Sequence, residues 1–174
     1  MAAFTTRRVA ETAATSIPAV YELFGDRAGL VRAVYLEGFR LLRERFDALA
    51  LSSDARTDLS LVIATLRLFI RENPALAEVM FARPFADYSP GAGEMLATAP
   101  VRELFVGRVR RCVDAGVLAG DQTDIAHVLL ALALGLAAQE TAGWLGSSAA
   151  SRDRRWALAL NAALDGFGRV DRGR

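Results

Sequence analysis

The sequence holds a single cysteine, Cys112, and no lysine; all 21 of its basic residues are arginine. One cysteine excludes an internal disulfide and fits a reducing cytoplasm. The lack of lysine matches a GC-rich coding sequence, which also favours the many alanines and glycines. Neither sign of charge is in excess, because 20 acidic residues leave a net charge of +1. There is no global basic field, so contact with nucleic acid has to be local. The N-terminus lacks a basic segment followed by an apolar stretch, so no signal peptide is expected. The longest uncharged run, Ile125 to Gln139, is shorter than the roughly 20 residues that cross a bilayer. A cytoplasmic protein with no membrane partner is the expectation.

Catalytic chemistry is scarce too. The one histidine, His127, has only Asp124 near it at ligand spacing, so a packed histidine is expected rather than a metal site. Cys112 follows Arg110 and Arg111, yet an inert helix cysteine is the plainer reading. No Gly-rich loop follows a strand to cradle a phosphate. Glu140 and Asp124 are not spaced for acid–base work, and no nucleophile stands with a base. The expectation is no enzyme, no cofactor and no metal.

What is present is apolar residue at helical spacing. Hydrophobic residues make up 53% of the chain, enough for a sizeable core in one domain, or in one large domain with a small appendage. Strand-like alternation is not sustained anywhere, and no fixed-period repeat occurs. An all-α fold follows. Thr5 or Thr6 can cap a short helix to about Ala13, with Val9, Ala10 and Ala13 on one face. Ser16 can cap a second, to about Leu23, with Pro18 in its first turn and Val20 and Phe24 facing inward. After Gly25, Asp26 can open a long helix to about Leu49. The next carries Leu59, Val62, Ile63, Leu66, Phe69 and Ile70 on one face, and Asn73-Pro74 interrupts it. A short helix holds Val79, Met80 and Phe81, the run from Arg83 to Glu94 reads as a loop, and a further helix is expected from about Ala97 to Gly116. The last two are expected from an Asp121 cap to about Leu145, and from about Arg152 to Phe167. The first of them is apolar all round from Val128 to Ala138, so it needs cover on two sides; a second copy covering one of them is the first reading, and both helices completing the monomer core is the alternative.

Two short helices joined by a tight turn near the start form a helix-turn-helix pattern, whose second helix enters the major groove of DNA. Its detail resembles the N-terminal DNA-binding segment of the TetR family of bacterial transcriptional regulators. The matching residues are Thr5-Thr6, Val9-Ala10, Ala13-Ala14-Thr15-Ser16 at the turn, Tyr21-Glu22-Leu23-Phe24, Arg27 and Leu30. The likeness is strong from Thr5 to Phe39. Farther on, the runs from Phe69 to Phe81 and from Leu132 to Gly143 look like the ligand-binding and dimerisation domain of one branch of the family. The family turn has glycine where Ala14 stands, a difference of about 1 kcal/mol if that residue is left-handed. The family also places a helix ahead of the Thr-Thr pair, and here only Met1 to Phe4 precede it. The head is thus expected to be partial, spanning residues 1–45, with a ligand-binding and dimerisation domain over 46–174.

The resemblance implies DNA-contacting roles for Thr5, Thr6, Arg7, Ser16, Ile17, Pro18, Ala19, Tyr21 and Arg27. Thr5, Thr6 and Arg7 would meet phosphates, Ile17, Pro18 and Ala19 would face base edges, and Tyr21 and Arg27 would hold the backbone. It implies a homodimer on a near-palindromic double-stranded operator, with a small-molecule effector that shifts the spacing of its two heads. Candidate effector contacts are Phe69, Met80, Phe81, Phe85, Tyr88, Phe105, Arg108 and Gln139. Candidate dimer contacts are Leu129, Leu132, Ala133, Leu136, Trp156, Leu160, Ala163 and Phe167. The first functional reading is a ligand-responsive repressor for an apolar or aromatic effector. The competing one is a helical dimer that binds a small molecule or protein and does not grip DNA because its head is incomplete.

Overall fold

The computed structural model describes residues 5–82 and 88–168. Among them the chain forms eight α-helices and no strand: α1 (Thr6–Thr12), α2 (Ile17–Phe24), α3 (Arg27–Asp47), α4 (Ala55–Glu72), α5 (Pro74–Ala77), α6 (Ala92–Asp114), α7 (Gln122–Thr141) and α8 (Ala149–Gly168). A single π-helical turn, Glu78–Ala82, continues α5.

Capping explains most of the boundaries. The side chains of Thr5, Ser16, Asp26, Asp54 and Asp121 each accept a backbone N–H from the first turn of the helix that follows. Helix α6 begins five residues ahead of expectation, since the Glu94 carboxylate accepts the Gly91 N–H at 2.9 Å and closes its first turn. That helix also carries Pro100 within it. Helix α7 stops at Thr141 rather than near Leu145, because Gly143, at φ 79°, lets the Gly143 and Trp144 N–H groups turn back onto the Glu140 and Gln139 carbonyls. Ser148 and Ser151 exchange backbone-to-hydroxyl bonds of 3.3 and 3.2 Å, which starts α8 three residues early.

Two cores result. The larger gathers Phe46, Leu59, Val62, Ile63, Phe69, Val109, Ile125, Leu129 and Leu164 from α3, α4, α6, α7 and α8. The smaller holds only Ala10, Val20 and Leu30, flanked by Val9 and Val34, and ties α1 and α2 to the start of α3. Val20 is buried as expected, but Phe24 is 37% exposed and Ala13 is exposed, so neither adds to the small core. Helix α7 is by length and composition long and apolar enough to cross a membrane. Here it packs on α4, α6 and α8 instead.

Candidate functional site

The reader-like segment is built on its turn. After α1, the Thr15 N–H returns to the Ala10 carbonyl at 2.9 Å and the Ala14 N–H to the Glu11 carbonyl at 3.3 Å. This double return needs a left-handed residue just past the helix. Ala14 takes that place at φ 49°, where glycine would be unstrained. The turn sets Ser16 at the start of α2, its hydroxyl accepting the Ala19 N–H at 3.2 Å. Ser16, Ile17, Pro18 and Tyr21 are exposed along one side of α2, while Val20 turns into the small core. Ala19 is half-buried, and Thr6 likewise, whereas Thr5 is exposed and its hydroxyl accepts the Arg8 N–H. Arg7 is exposed and paired with Glu11 at 3.0 Å. Arg27 is exposed at the start of α3.

Helix α3 meets α2 at very short range. A Cβ on Gly29 would lie 1.9 Å from the Phe24 carbonyl oxygen, so any side chain there would force the two helices apart. The sequence alone offers no sign of this contact, since Gly29 stands inside a helical pattern with nothing to mark the approach.

In the body, α3, α4, α6, α7 and the π-turn enclose a cavity of about 650 Å³. Tyr35, Phe39, Leu42 and Phe46 contribute one stripe of α3. Phe81, Phe105, Val101 and Leu130 add further apolar wall, and Thr98, Arg102, Glu103, Arg110, Thr123 and His127 supply its polar atoms. This size and an apolar lining with a few polar groups suit a drug-sized molecule.

The structure brings Phe81 and Phe105, of the expected effector contacts, to this cavity. Phe69 is fully buried in the large core, and Met80 lies against the Gly38 region of α3. Tyr88 packs edge-on to Tyr35 at 6.0 Å, its hydroxyl buried without a hydrogen-bond partner among the described residues. Burial pushes that phenol's pKa up, with the Glu94 carboxylate adding to the effect. Gln139 is exposed on α7, and Phe85 lies outside the described residues. Arg108 does not face the cavity but is buried between α6 and α4, donating to the Leu49 carbonyl at 3.3 Å, with Asp58 at 3.7 Å. Missed from sequence were Tyr35, Phe39, Leu42 and Phe46, whose inward spacing on α3 reads equally well as plain core.

Two carboxylates, one buried and one half-buried, pin the body. Asp58 accepts the Ser52 hydroxyl at 2.7 Å and the Ser52 N–H at 3.1 Å, and pairs with Arg111. Ser52 and then Arg111 hold its pKa below the usual carboxylate range. Glu140 accepts both arms of Arg67 at 2.8 Å and the Trp156 indole N–H at 2.7 Å. The Arg67 guanidinium, foremost among its partners, lowers that pKa too. It also stacks 4.9 Å over the Trp156 ring.

This arrangement bears on the expected dimer face. Leu129, Ala133 and Trp156 point into their own chain's core at 1%, 2% and 5% exposure, which leaves no surface on them for a partner. Leu136, Leu160, Ala163 and Phe167 are half-buried against the same core, and Leu132 is half-buried. Outward on α7 and α8 lie Val128, Ala131, Gly135, Ala138, Leu158 and Ala162 instead.

Among the described residues, no group of three His, Cys, Asp or Glu side chains lies close enough to hold a metal. Cys112 is buried beneath the Ala55 carbonyl, and burial raises its pKa, so its thiol is not poised to react.

A helical body with a cavity, carrying a small helix-turn-helix unit at one end of α3, is the architecture of a class of transcriptional regulators. Residues 59–163 match the family profile described as "Tetracyclin repressor-like, C-terminal domain". The chain belongs to the TetR family of transcriptional regulators. Its fold is similar to a protein of unknown function from Rhodococcus sp. RHA1, at 24% identity and TM-score 0.77, over 95% of this chain and 86% of that one. It also resembles the TetR-family transcriptional regulator PfmR from Thermus thermophilus, at 16% identity and TM-score 0.71, over 97% and 90%. A tetR-family regulatory protein from Rhodococcus RHA1 is similar at 21% identity and TM-score 0.73, over 97% and 88%. No curated protein matches the sequence.

Proposed function

We propose that the chain is a cytoplasmic, ligand-responsive repressor. It acts as a homodimer on a near-palindromic double-stranded operator and is released by a small effector with an apolar or aromatic body. The supporting observation is that one helix belongs to both units. Leu30, at the start of α3, packs in the small core with Val20 of α2. Tyr35, Phe39, Leu42 and Phe46, farther along the same helix, line the cavity. A ligand that pushes on this stripe tilts a rod about 30 Å long, and the head moves with it. The effector has to bind one head spacing better than the other, or it shifts nothing.

In the head, Ile17, Pro18 and Ala19 offer apolar contact to base edges, for example a thymine methyl. Tyr21, Thr6 and Arg27 serve the backbone. The outward faces of α7 and α8, with Val128, Ala131, Gly135 and Leu158, suit close packing against a second copy, and two-fold symmetry then sets the operator's near-palindrome.

Fluorescence anisotropy with a labelled duplex from the gene's own upstream region tests this reading. Saturable binding, stronger than to a scrambled duplex, is expected, with Tyr21→Ala and Arg27→Ala each weakening it by about tenfold. Equal binding to both duplexes, or none, contradicts it and favours the binding-dimer alternative.

A further inference from the structure

Apart from the Tyr35 hydroxyl on α3, the polar side chains of the cavity lie on α6 and α7. Arg102, Val106 and Arg110 recur at four-residue spacing on one stripe of α6, and Thr123, His127 and Leu130 form the facing stripe of α7. The Arg110 Nε donates to Gln122 Oε1 at 3.0 Å and fixes the antiparallel register of the two helices. His127, a little more than one turn beyond Gln122, therefore comes opposite the stretch between Arg102 and Arg110. Its Nδ1 lies 2.9 Å from the Thr123 carbonyl oxygen. A carbonyl only accepts, so Nδ1 carries the proton and Nε2 is the ring's remaining polar atom.

The charges at this seam differ from most of those elsewhere in the body, where Arg154 is a further arginine without a partner among the described residues. Arg32, Arg56, Arg67 and Arg111 are held by Glu94, Asp165, Glu140 and Asp58. Among the described residues Arg102 has no hydrogen-bond or ion-pair partner, and Arg110 has only the neutral Gln122. Glu103 lines the cavity beside them and pairs with neither. Two guanidinium groups without a carboxylate partner thus share the exposed rim of an apolar cavity with one carboxylate. The wall of Phe39, Phe46, Phe81 and Phe105 has nothing to offer a polar atom, and the lining's guanidinium groups lie only at the seam, so an anionic end is drawn there.

We propose that the effector is an amphipathic anion, with an apolar body among the aromatic rings and a carboxylate-like head at the α6–α7 seam, held by Arg102 and Arg110. This rests on reading the cavity as the effector site. The planar fork of arginine matches a carboxylate's two oxygens, and Glu103 disfavours a second negative charge beside it.

Isothermal titration of the full chain with phenylhexanoate, phenylhexanol and phenylhexylamine tests it, since the three share one apolar body. The acid is expected to bind about tenfold tighter than the alcohol, and the amine weakest. Arg102→Gln and Arg110→Gln should each remove most of the acid's advantage and leave the alcohol's affinity in place. Glu103→Gln should tighten the acid. The anion proposal is overturned, with the cavity reading intact, if the alcohol binds as well as the acid. It is overturned equally if the arginine variants weaken both ligands alike. If none of the three binds, the cavity reading falls and the proposal with it.

Discussion

The head and the body of this chain are folded by different amounts of the same force. The body buries whole aromatic and aliphatic side chains from five helices and ties them with Asp58 and Glu140, each satisfied by arginine. The head rests on Ala10, Val20 and Leu30, one of which is only a methyl group. Burial contributes on the order of 25 cal/mol per Å² of apolar surface, so the head's own cohesion is a small part of the whole. Its geometry is instead imposed by backbone devices: the left-handed Ala14, the Ser16 cap and the close approach at Gly29. A unit held this way can be reoriented by α3 at low cost, while the body keeps its shape around the cavity.

The contrast can be broken most severely from the body's side. Phe69→Ala should lower the stability of the chain by about 3–5 kcal/mol in a urea melt, since it empties a fully buried site. Because Phe69 does not line the cavity, the surviving folded fraction should keep its ligand affinity. Arg67→Ala should cost about 1–3 kcal/mol, as it removes the two-armed partner of Glu140, leaving Arg152 at 3.6 Å and Arg71 at 3.8 Å, and uncovers the Trp156 ring.

Gly29→Ala acts on the head. Its new methyl group cannot coexist with the Phe24 carbonyl, so α2 should lose its seat at a cost of about 1–3 kcal/mol. The main unfolding transition should stay close to that of the parent, and α1–α2 amides should exchange faster. Ala14→Gly works in the other direction. It relieves the strained residue and should stabilise the head by up to about 1 kcal/mol, read as slower exchange of the same amides.

The smallest effect is on pH. Asp58 and Glu140 both have folded pKa values below the ordinary range. The unfolded chain then binds more protons than the folded one as pH falls, so these groups stabilise the fold fully above about pH 5 and lose that contribution below it. A urea midpoint that is level from neutral pH down to that point and then drops is expected, with a shallower drop in Asp58→Asn.

Much of this fold can be read from the residues. Capping side chains at Thr5, Ser16, Asp26 and Asp121 mark four helix starts, because such a side chain satisfies donors the helix cannot. The late helices are displaced at their ends because Gly143 and the Ser148–Ser151 pair act through backbone geometry that apolar spacing does not carry. The strained turn at Ala14 was legible as a departure from a family glycine. The cavity was harder to foresee. Phe81 and Phe105 line it, but the same aromatic spacing puts Phe69 in solid core, and only the packing of five elements decides which rings border a space. Arg108 was equally ambiguous: a lone arginine on an apolar face can await a ligand or meet a buried carboxylate, and here Asp58 is beside it.

The division between a lightly held head and a firmly held body is tested most directly by amide hydrogen exchange of the free chain at neutral pH. Amides of Thr6–Thr12 and Ile17–Phe24 should exchange at least about tenfold faster than those in the middle of Ala55–Glu72 and Gln122–Thr141. Equal protection of all four helices would contradict it.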